Sequence, residues 1–376
     1  MNIAYDARVL AKGRHSGIAE YTKLLFDHCF TIGTHDMHTV LYNSFSAVSL
    51  PEVWYRKKNV RVVRTRIPNK LLDLSYKLFH APKVGGRGVY DIMVSPHFNL
   101  LYTKQPTKRI ITFHDLSFLH FPEFYSWRKR YWHWMQAYAA QARRADHIVT
   151  VSEFTKHDLM VSFKIPQEKI SVIYSGVNPL FQETVDEARF TKFRDTLPAR
   201  YILSVGVLEP RKNIPALLRA FAYLKQDKKY KDVALVLVGE RGWLYRHVEQ
   251  MIAHSSYRQD IIRFGYASYE DLHFLYHGAE VFVYPSFFEG FGFPPLEAQA
   301  CGTPVIASNR ASLPEIVGKS ALLIDPYRVH ELVSALQALL ESSSFRNVLC
   351  DEGFKNVQRF SWAKSAQKLL EICHTI

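Results

Sequence analysis

A chain of 376 residues, 48% of them hydrophobic, is long enough for two domains, each with its own core. Its four cysteines, Cys29, Cys301, Cys350 and Cys373, stand far apart without CxxC spacing, which suggests neither a zinc site nor a disulfide framework, and no apolar run approaches the ~20 residues of a spanning helix. The net charge of +13 is lopsided: residues 1–175 hold 25 Lys and Arg against 13 Asp and Glu, whereas residues 176–376 hold 23 against 22.

An excess confined to the first half suits an anionic lipid surface, a pyrophosphate-linked acceptor or nucleic acid, although a plain basic surface would read the same way. Met1 to Asp6 lacks the charged-then-apolar layout of a secretion signal, so a reducing, cytoplasmic setting is expected, with attachment at most to the inner membrane surface.

Taken in order, the first half alternates strand and helix patterns. Asn2–Tyr5 reads as a short strand, Asp6 to Gly17 as a loop holding Gly13 and Gly17, and Ile18 to Phe30 as a helix, with Ile18, Tyr21, Leu24, Leu25 and Cys29 at helical spacing. A glycine loop between first strand and first helix recurs in phosphate-binding α/β domains. The spacing here is GxxxG, not GxGxxG, and a plain turn explains it as well. Strands follow near Thr39–Tyr42, Val60–Val63, Asp91–Val94 and Arg109–Phe113. His114 then stands at a strand's C-terminal end, where open α/β sheets place ligand residues. Trp127 to Trp134 interleaves aromatics and bases on a predicted helix. That suits a membrane interface, or core-facing tryptophans with a solvated basic face. Ile148–Val151 is another strand, with Ser152 as cap of the next helix. Ile170–Tyr174 closes the first domain, at residue 175. Residues 176–200, with Pro179, Pro198 and many charges, read as a linker.

A second domain, 201–360, restarts the rhythm. Tyr201–Val205 is a strand ending at Gly206. Leu208 to Asn213 is a loop carrying Arg211 and Lys212, and Pro215–Leu224 a helix. Val233–Val238 is wholly apolar, as a central parallel strand should be. Ile261–Phe264 is followed by Gly265 and Tyr266, and Ser268 with Asp271 forms a possible capping box. Val305–Ala307 is a strand, and helices run from about His330 to the end. Two α/β units in tandem predict two Rossmann-like domains facing each other across a cleft that holds the ligand.

The most informative stretch is Ser286 to Glu297. Upstream, Glu280–Tyr284 alternates as a buried strand. Downstream, Pro294 and Pro295 suit a first helical turn, where a missing N–H costs little, and Leu296 to Ala300 is helix sequence stopped by Gly302 and Pro304. Strand, glycine-rich turn and helix bare backbone N–H groups at a positive helix end, which suits an anion. Glu289 in the turn and Glu297 in the helix stand eight positions apart and can face one ligand. Carboxylates beside an anion site imply a ligand that also offers hydroxyls, as a nucleotide sugar does. Arg211 and Lys212 supply bidentate and point-charge contacts for a diphosphate. No Asp-x-Asp, HExxH or GxSxG occurs, and Gly318-Lys319-Ser320 has Leu313 where a P-loop needs glycine. No metal or cofactor is called for.

This arrangement resembles the Glu-x7-Glu signature of the family 4 glycosyltransferases, retaining enzymes of the GT-B fold. The resemblance extends to Gly206–Asn213, Val151–Thr155, His114–Leu116, Leu322–Pro326 and Phe360–Trp362, the last looking like the start of a final helix, about 361–376, that crosses back to the first domain. It implies that Glu289 contacts the transferred sugar and Glu297 the ribose. The amides of Phe291, Gly292 and Phe293, with Leu296 following, would meet phosphate and sugar. Arg211 and Lys212 would bind the diphosphate beside Gly206, His114 would lie by the sugar, Gly17 by the phosphates, and Tyr266, after Gly265, near the base. The Glu-Pro-Arg-Lys-Asn and His-Asp-Leu stretches look most like mannosyltransferase members of bacterial surface polysaccharide synthesis. GDP-mannose is therefore the expected donor, without a metal, and a lipid-pyrophosphate-linked or glycan acceptor at an anionic membrane surface the expected partner. A UDP-hexose donor, a sugar-nucleotide epimerase or phosphorylase, and a basic nucleic-acid-binding protein remain as alternatives. The last lacks any recognisable binding module.

Overall fold

The computed structural model describes residues 1–10, 17–44 and 50–376, the side chains at 69 and 70 excepted. It divides into two compact units. Met1–Phe118, Trp127–Gly176 and Ser361–Ile376 form the first; Leu119–Ser126 and Val177–Phe360 form the second.

The first stretch of chain runs β1 (Asn2–Asp6), α1 (Gly17–Ile32), β2 (Met37–Asn43), α2 (Glu52–Arg56), β3 (Val60–Thr65), α3 (Asn69–Phe79), β4 (Lys83–Gly85), β5 (Ile92–Ser95), β6 (Tyr102–Lys104), β7 (Lys108–Phe113), α4 (Ser117–His120), α5 (Trp127–Met135), α6 (Tyr138–Arg144), β8 (His147–Thr150), α7 (Glu153–Phe163) and β9 (Ile170–Val172). Among the described residues, seven strands make one parallel sheet in the order β3-β2-β1-β5-β7-β8-β9. All of β5, and β7 after Lys108, is buried, as strands covered on both faces must be. Ser152 caps α7, its hydroxyl accepting from Thr155 N at 3.1 Å.

Sequence patterning did not anticipate α2, α3 or the small parallel pair β4–β6. In α3, Leu72 and Tyr76 pack inward on Leu100, while Leu71, Leu74 and Leu78 point outward and are exposed. The helical pattern was present, a wide apolar arc set against Asp73 and Lys77 on one flank, and the sequence reading passed over it.

The second unit continues with α8 (Glu187–Arg194), β10 (Arg200–Val205), α9 (Ile214–Leu224), β11 (Val233–Val238), α10 (Arg246–Ala253), β12 (Ile261–Gly265), α11 (Tyr269–Gly278), β13 (Val281–Tyr284), α12 (Phe293–Ala300), β14 (Val305–Ser308), α13 (Leu313–Val317), β15 (Ala321–Ile324), α14 (Val329–Glu341) and α15 (Ser343–Val357). Its sheet is parallel, ordered β12-β11-β10-β13-β14-β15. Counted within the unit this is 3-2-1-4-5-6, the order of dinucleotide-binding sheets, with its switch point between β10 and β13. Strand periodicity sorts the two faces. Val281 and Val283 join the core built on α9 and α14, while Phe282 turns the other way and meets Tyr276 of α11 at 5.4 Å.

Residues 176–200 are not a loose linker. Asp186 caps α8 through the amides of Ala188 and Arg189, and Phe181 and Phe190 are buried against Tyr276 and Phe274, at 5.6 and 6.0 Å. Two anchoring rings nine positions apart were hidden by the charges between them. Residues 119–126, expected in the first domain, also group with the second unit. Phe121 and Phe124 stack at 5.0 Å and rest on Phe288 and Phe287, each pair 5.8 Å apart. Tyr125 stacks on Trp243, whose indole N–H donates to Phe124 O.

The last helix, α16 (Trp362–Thr375), belongs to the first unit and packs along α1. Ser361 caps it, and Ser365 Oγ donates to Tyr174 O at 2.5 Å.

Candidate functional site

At a switch point the loops leaving two neighbouring strands diverge to opposite faces, and the gap between them is where open α/β sheets bind ligands. In the second unit those loops follow β10 and β13. Gly206 ends β10 with φ +152, and a side chain on Gly239, at the end of β11, would strike its carbonyl. Only glycines let the two strand ends come this close. Beyond Gly206 a single turn, Pro210–Lys212, presents two bases. Three hydrogen bonds fasten this turn, two to the loop after β13 and one to the segment after β15. Phe287 N donates to Arg211 O at 2.9 Å, and the Asn213 amide donates to Pro285 O at 3.2 Å and Pro326 O at 2.8 Å.

So held, Glu289 lies between the two bases. Its carboxylate is 2.7 Å from Arg211 Nη1 and 2.7 Å from Lys212 Nζ. Arg211 also donates to Phe288 O at 2.9 Å and pairs with Glu209 at 2.8 Å. Lys212 Nζ donates to the Tyr284 hydroxyl. Glu289 and Glu209 are each at least 94% buried, so two acids and two bases balance in a nearly dry setting, where an unpaired charge would be costly. Burial pushes the Glu289 carboxyl up, but Arg211 and then Lys212 outweigh it and hold the pKa at about 2. Burial lowers Lys212, with Glu289 opposing. Near neutral pH Glu289 is a fixed anion. It can accept hydrogen bonds from hydroxyls, but it carries no proton to give. A diphosphate arriving here would take over part of the donor capacity of Arg211 and Lys212.

The turn after Glu289 is braced from α13. Ser312 Oγ lies 2.8 Å from Glu289 O and 3.0 Å from Phe291 O. Gly292 enters α12 with φ +107, and a Cβ there would sit 2.7 Å from Leu313 Cδ2. Pro294 and Pro295 occupy the first turn, as their missing N–H groups favour. Phe291 is buried against Phe293 and Phe360, at 5.2 and 5.7 Å, and Leu296 is wholly buried. At these two positions the side chains serve the core, so a ligand could be met only by the main chain. Glu297, on α12, accepts from the Tyr276 hydroxyl at 2.8 Å. Tyr266 is exposed and lines a recess of about 530 Å³ with Gly239, Arg241, Glu249, Arg263 and Gly265 at the ends of β11 and β12.

Two other expected residues belong to the first unit. His114 follows β7, with Nε2 2.7 Å from Pro96 O and its ring edge-on to Tyr21 at 4.7 Å. Burial lowers its pKa, so the neutral ring is favoured. A carbonyl partner fixes the proton on Nε2 and leaves Nδ1 as the acceptor. Gly17 is the first residue of α1; Gly13, Arg14 and His15 lie outside the described residues.

Sequence reading missed Glu209, Tyr284, Tyr276 and Ser312 as partners of this cluster. Tyr284 carried a usable signal, a polar tip on the last residue of a buried strand. Ser312 carried none, since its contact is made 21 and 23 residues away along the chain. Among the described residues no group of three or more His, Cys, Asp or Glu side chains could hold a metal ion, and no helix is long and apolar enough to cross a membrane.

Residues 187–356 match the family described as glycosyl transferases group 1, and residues 35–180 match glycosyltransferase family 4. The chain is 32% identical to O-antigen chain mannosyltransferase B of Escherichia coli over 78% of its own length and 77% of that protein's. It is 29% identical to the O-antigen chain mannosyltransferase RfbU of Salmonella typhimurium over 66% and 67% of the two chains. Among solved structures, the sucrose-phosphate synthase of Thermosynechococcus elongatus superposes with a TM-score of 0.75 at 21% identity, covering 99% and 98% of the two chains. That likeness is one of fold, the GT-B architecture.

Proposed function

The chain belongs to glycosyltransferase family 4 and is a glycosyltransferase, and we propose that it moves mannose from GDP-mannose, with retention, onto a lipid-pyrophosphate-linked glycan during O-antigen or related surface polysaccharide synthesis. The work would be done at the cytoplasmic face of the inner membrane. The observation that carries this reading is the Glu289 carboxylate, ionised and held between Arg211 and Lys212 at the switch point. The names of the two relatives support the choice of mannose.

In the proposed reaction an acceptor hydroxyl oxygen bonds to C1 of mannose on the face from which the GDP β-phosphate leaves. The C1–O bond to phosphate breaks, its electron pair stays on the phosphate oxygen, and that oxygen takes the hydroxyl proton. Arg211 and Lys212 offset the charge that builds on the diphosphate, helped by the amides of Phe291, Gly292 and Phe293 at the start of α12. Gly206 and Leu296 give main-chain room and contact there. Glu289 orients the mannose hydroxyls, Glu297 the ribose, and Tyr266 flanks the base. His114 lies by the sugar and Gly17 by the phosphates. With a pKa of about 2, Glu289 is too weak a base to take the hydroxyl proton, which favours the leaving phosphate as its acceptor.

The test is a donor panel with a lipid-linked glycan acceptor: GDP-mannose, UDP-glucose and UDP-galactose, read by nucleotide release and by anomeric NMR of the product. Transfer from GDP-mannose with an α-linked product is expected. Transfer from a UDP-hexose alone, or isomerisation without transfer, would overturn the reading.

A further inference from the structure

Two helices of the first unit turn apolar side chains to solvent on adjoining faces. On α3, Leu71, Leu74 and Leu78 recur at helical spacing, with Phe79 73% exposed beside them. On α5, Trp127 and Trp134 are 72% and 65% exposed, with Tyr131 between them on the same face. Lys77 Nζ lies 4.7 Å above the Trp134 ring, so the two rows adjoin. A row of large exposed apolar groups on neighbouring helices marks a surface that something covers. Bases are interleaved with them: Lys77 on α3, and Arg128, Lys129 and Arg130 on α5. Asp73 is the one acid on α3, and α5 has none.

Near the C-terminal ends of these helices, by His80 after α3 and Ala137 after α5, lies a recess of about 260 Å³, lined in part by Tyr102, Gln105, Arg109, Gln141 and Arg144. Tyr102 links it to α3, its ring 6.1 Å from Tyr76 and 4.7 Å from His80, and the Arg144 guanidinium stands 5.8 Å from the same ring. Arg109 is 94% buried. Its guanidinium donates to Leu101 O at 2.5 Å, Asn99 O at 3.2 Å and Gln141 Oε1 at 3.0 Å, all neutral oxygens. Among the described residues no carboxylate forms an ion pair with it, and the nearby Asp6 is taken by Arg8 at 2.6 Å. A buried guanidinium whose hydrogen bonds go to neutral oxygens adds a cationic field to the recess.

We propose that the outward faces of α3 and α5 dock on an anionic lipid bilayer, with Leu74, Leu78, Phe79, Trp127, Tyr131 and Trp134 entering the headgroup boundary and the Arg109–Arg144 recess taking a lipid phosphate. Aromatic rings beside lysine and arginine are what a bilayer interface selects. The same bases set against a second copy of this face would repel, which disfavours self-association. Docking here would serve the lipid-linked acceptor proposed above and rests on that reading for its purpose, yet it is measured without any sugar donor, so the two can fail separately.

The test is flotation of the full chain with vesicles of phosphatidylcholine alone or containing 30 mol% phosphatidylglycerol, for wild type, the double variant Leu78→Ser/Trp134→Ser and Arg144→Glu. Wild type is expected to float with the anionic vesicles, at least tenfold less with neutral ones, and to show blue-shifted tryptophan emission when bound. The double variant should lose at least tenfold in partitioning while GDP binding and melting temperature hold. Arg144→Glu should lose mainly the preference for anionic lipid. No flotation of wild type, equal flotation on both vesicles, an unaltered double variant, or sedimentation showing a dimer that the double variant abolishes would each overturn the proposal. If the double variant fails to fold, the emission shift of wild type on anionic vesicles, present or absent, decides between the outcomes.

Discussion

Lys212 Nζ lies 2.7 Å from Glu289 Oε1 across 77 residues of chain. One base and one acid, each unfavourable alone in a buried place, are tolerable there together. Arg211 closes the other side of the same carboxylate. The charges of the site are balanced as it stands, and under the proposed function an incoming diphosphate would share the bases that hold the acid.

Replacing Glu289 by Gln should leave Arg211 and Lys212 short of one negative charge. Loss of one partner in a buried ion pair costs about 3–5 kcal/mol, so the variant should melt several degrees lower. GDP should then stabilise it by a larger increment than wild type, because the nucleotide supplies the missing charge. Turnover should fall by roughly 10²–10³, the usual range for an electrostatic contact to the reacting group. Thermal shift with and without GDP, alongside steady-state transfer, checks this. An equal GDP increment in both proteins would count against the shared-charge account.

Arg211→Lys keeps the charge and loses the fork that reaches Phe288 O, Glu209 and Glu289 together. An ammonium cannot span that geometry. We expect kcat/KM for the donor to drop by about 10–100-fold, within the reach of one or two charge-assisted hydrogen bonds. Kinetics indistinguishable from wild type would show that point charge, not shape, is what this position provides.

Acid should destabilise the protein through Glu289 and Asp6. In Glu289, burial raises the pKa but Arg211 and Lys212 bring it to about 2; in Asp6, burial raises it and Arg8 brings it to about 2. Both folded values lie below the ordinary 4.5 and 3.8. The stability they give is thus full above about pH 5 and lost as pH falls toward 2, on the order of 3 kcal/mol for Glu289. Urea midpoints measured from pH 6 to pH 2.5 should decline, and Glu289→Gln should flatten that decline. A variant with the wild-type slope would remove Glu289 from the explanation.

Gly292→Ala should unsettle the turn that carries Glu289. Its φ of +107 suits glycine, and the new Cβ would meet Leu313 Cδ2 at 2.7 Å. Backbone strain of this kind costs about 1–3 kcal/mol, or roughly 2–12 °C of melting temperature for a unit of this size. Activity should fall further than stability, because Glu289 and the start of α12 move together. Full activity at an unchanged melting temperature would show that the turn relaxes freely.

Much of the local architecture was legible in order along the chain. The capping box of Ser268 and Asp271 forms as its spacing implies. Pro294 and Pro295 sit in the first turn of α12, and the apolar run Val233–Val238 is buried throughout. These succeed because each depends on neighbours within a turn of helix or a strand's alternation. The misses have different causes. In α3 an apolar arc set against Asp73 and Lys77 was present and was passed over. Residues 119–126 and 176–200 look like loop sequence, and their place in the second unit rests on Phe121, Phe124, Phe181 and Phe190 finding rings far along the chain.

By itself the sequence determined the repeated strand–helix rhythm, the turn that lifts Glu289 from β13 into α12, and the supply of bases after β10. Those are matters of backbone preference and short-range pattern. The pairing of Arg211 and Lys212 with Glu289 was decided only when the sheet placed β13 beside β10 rather than beside β12. That order comes from which faces bury together around crossovers of many residues, and no local rule of composition or spacing encodes it.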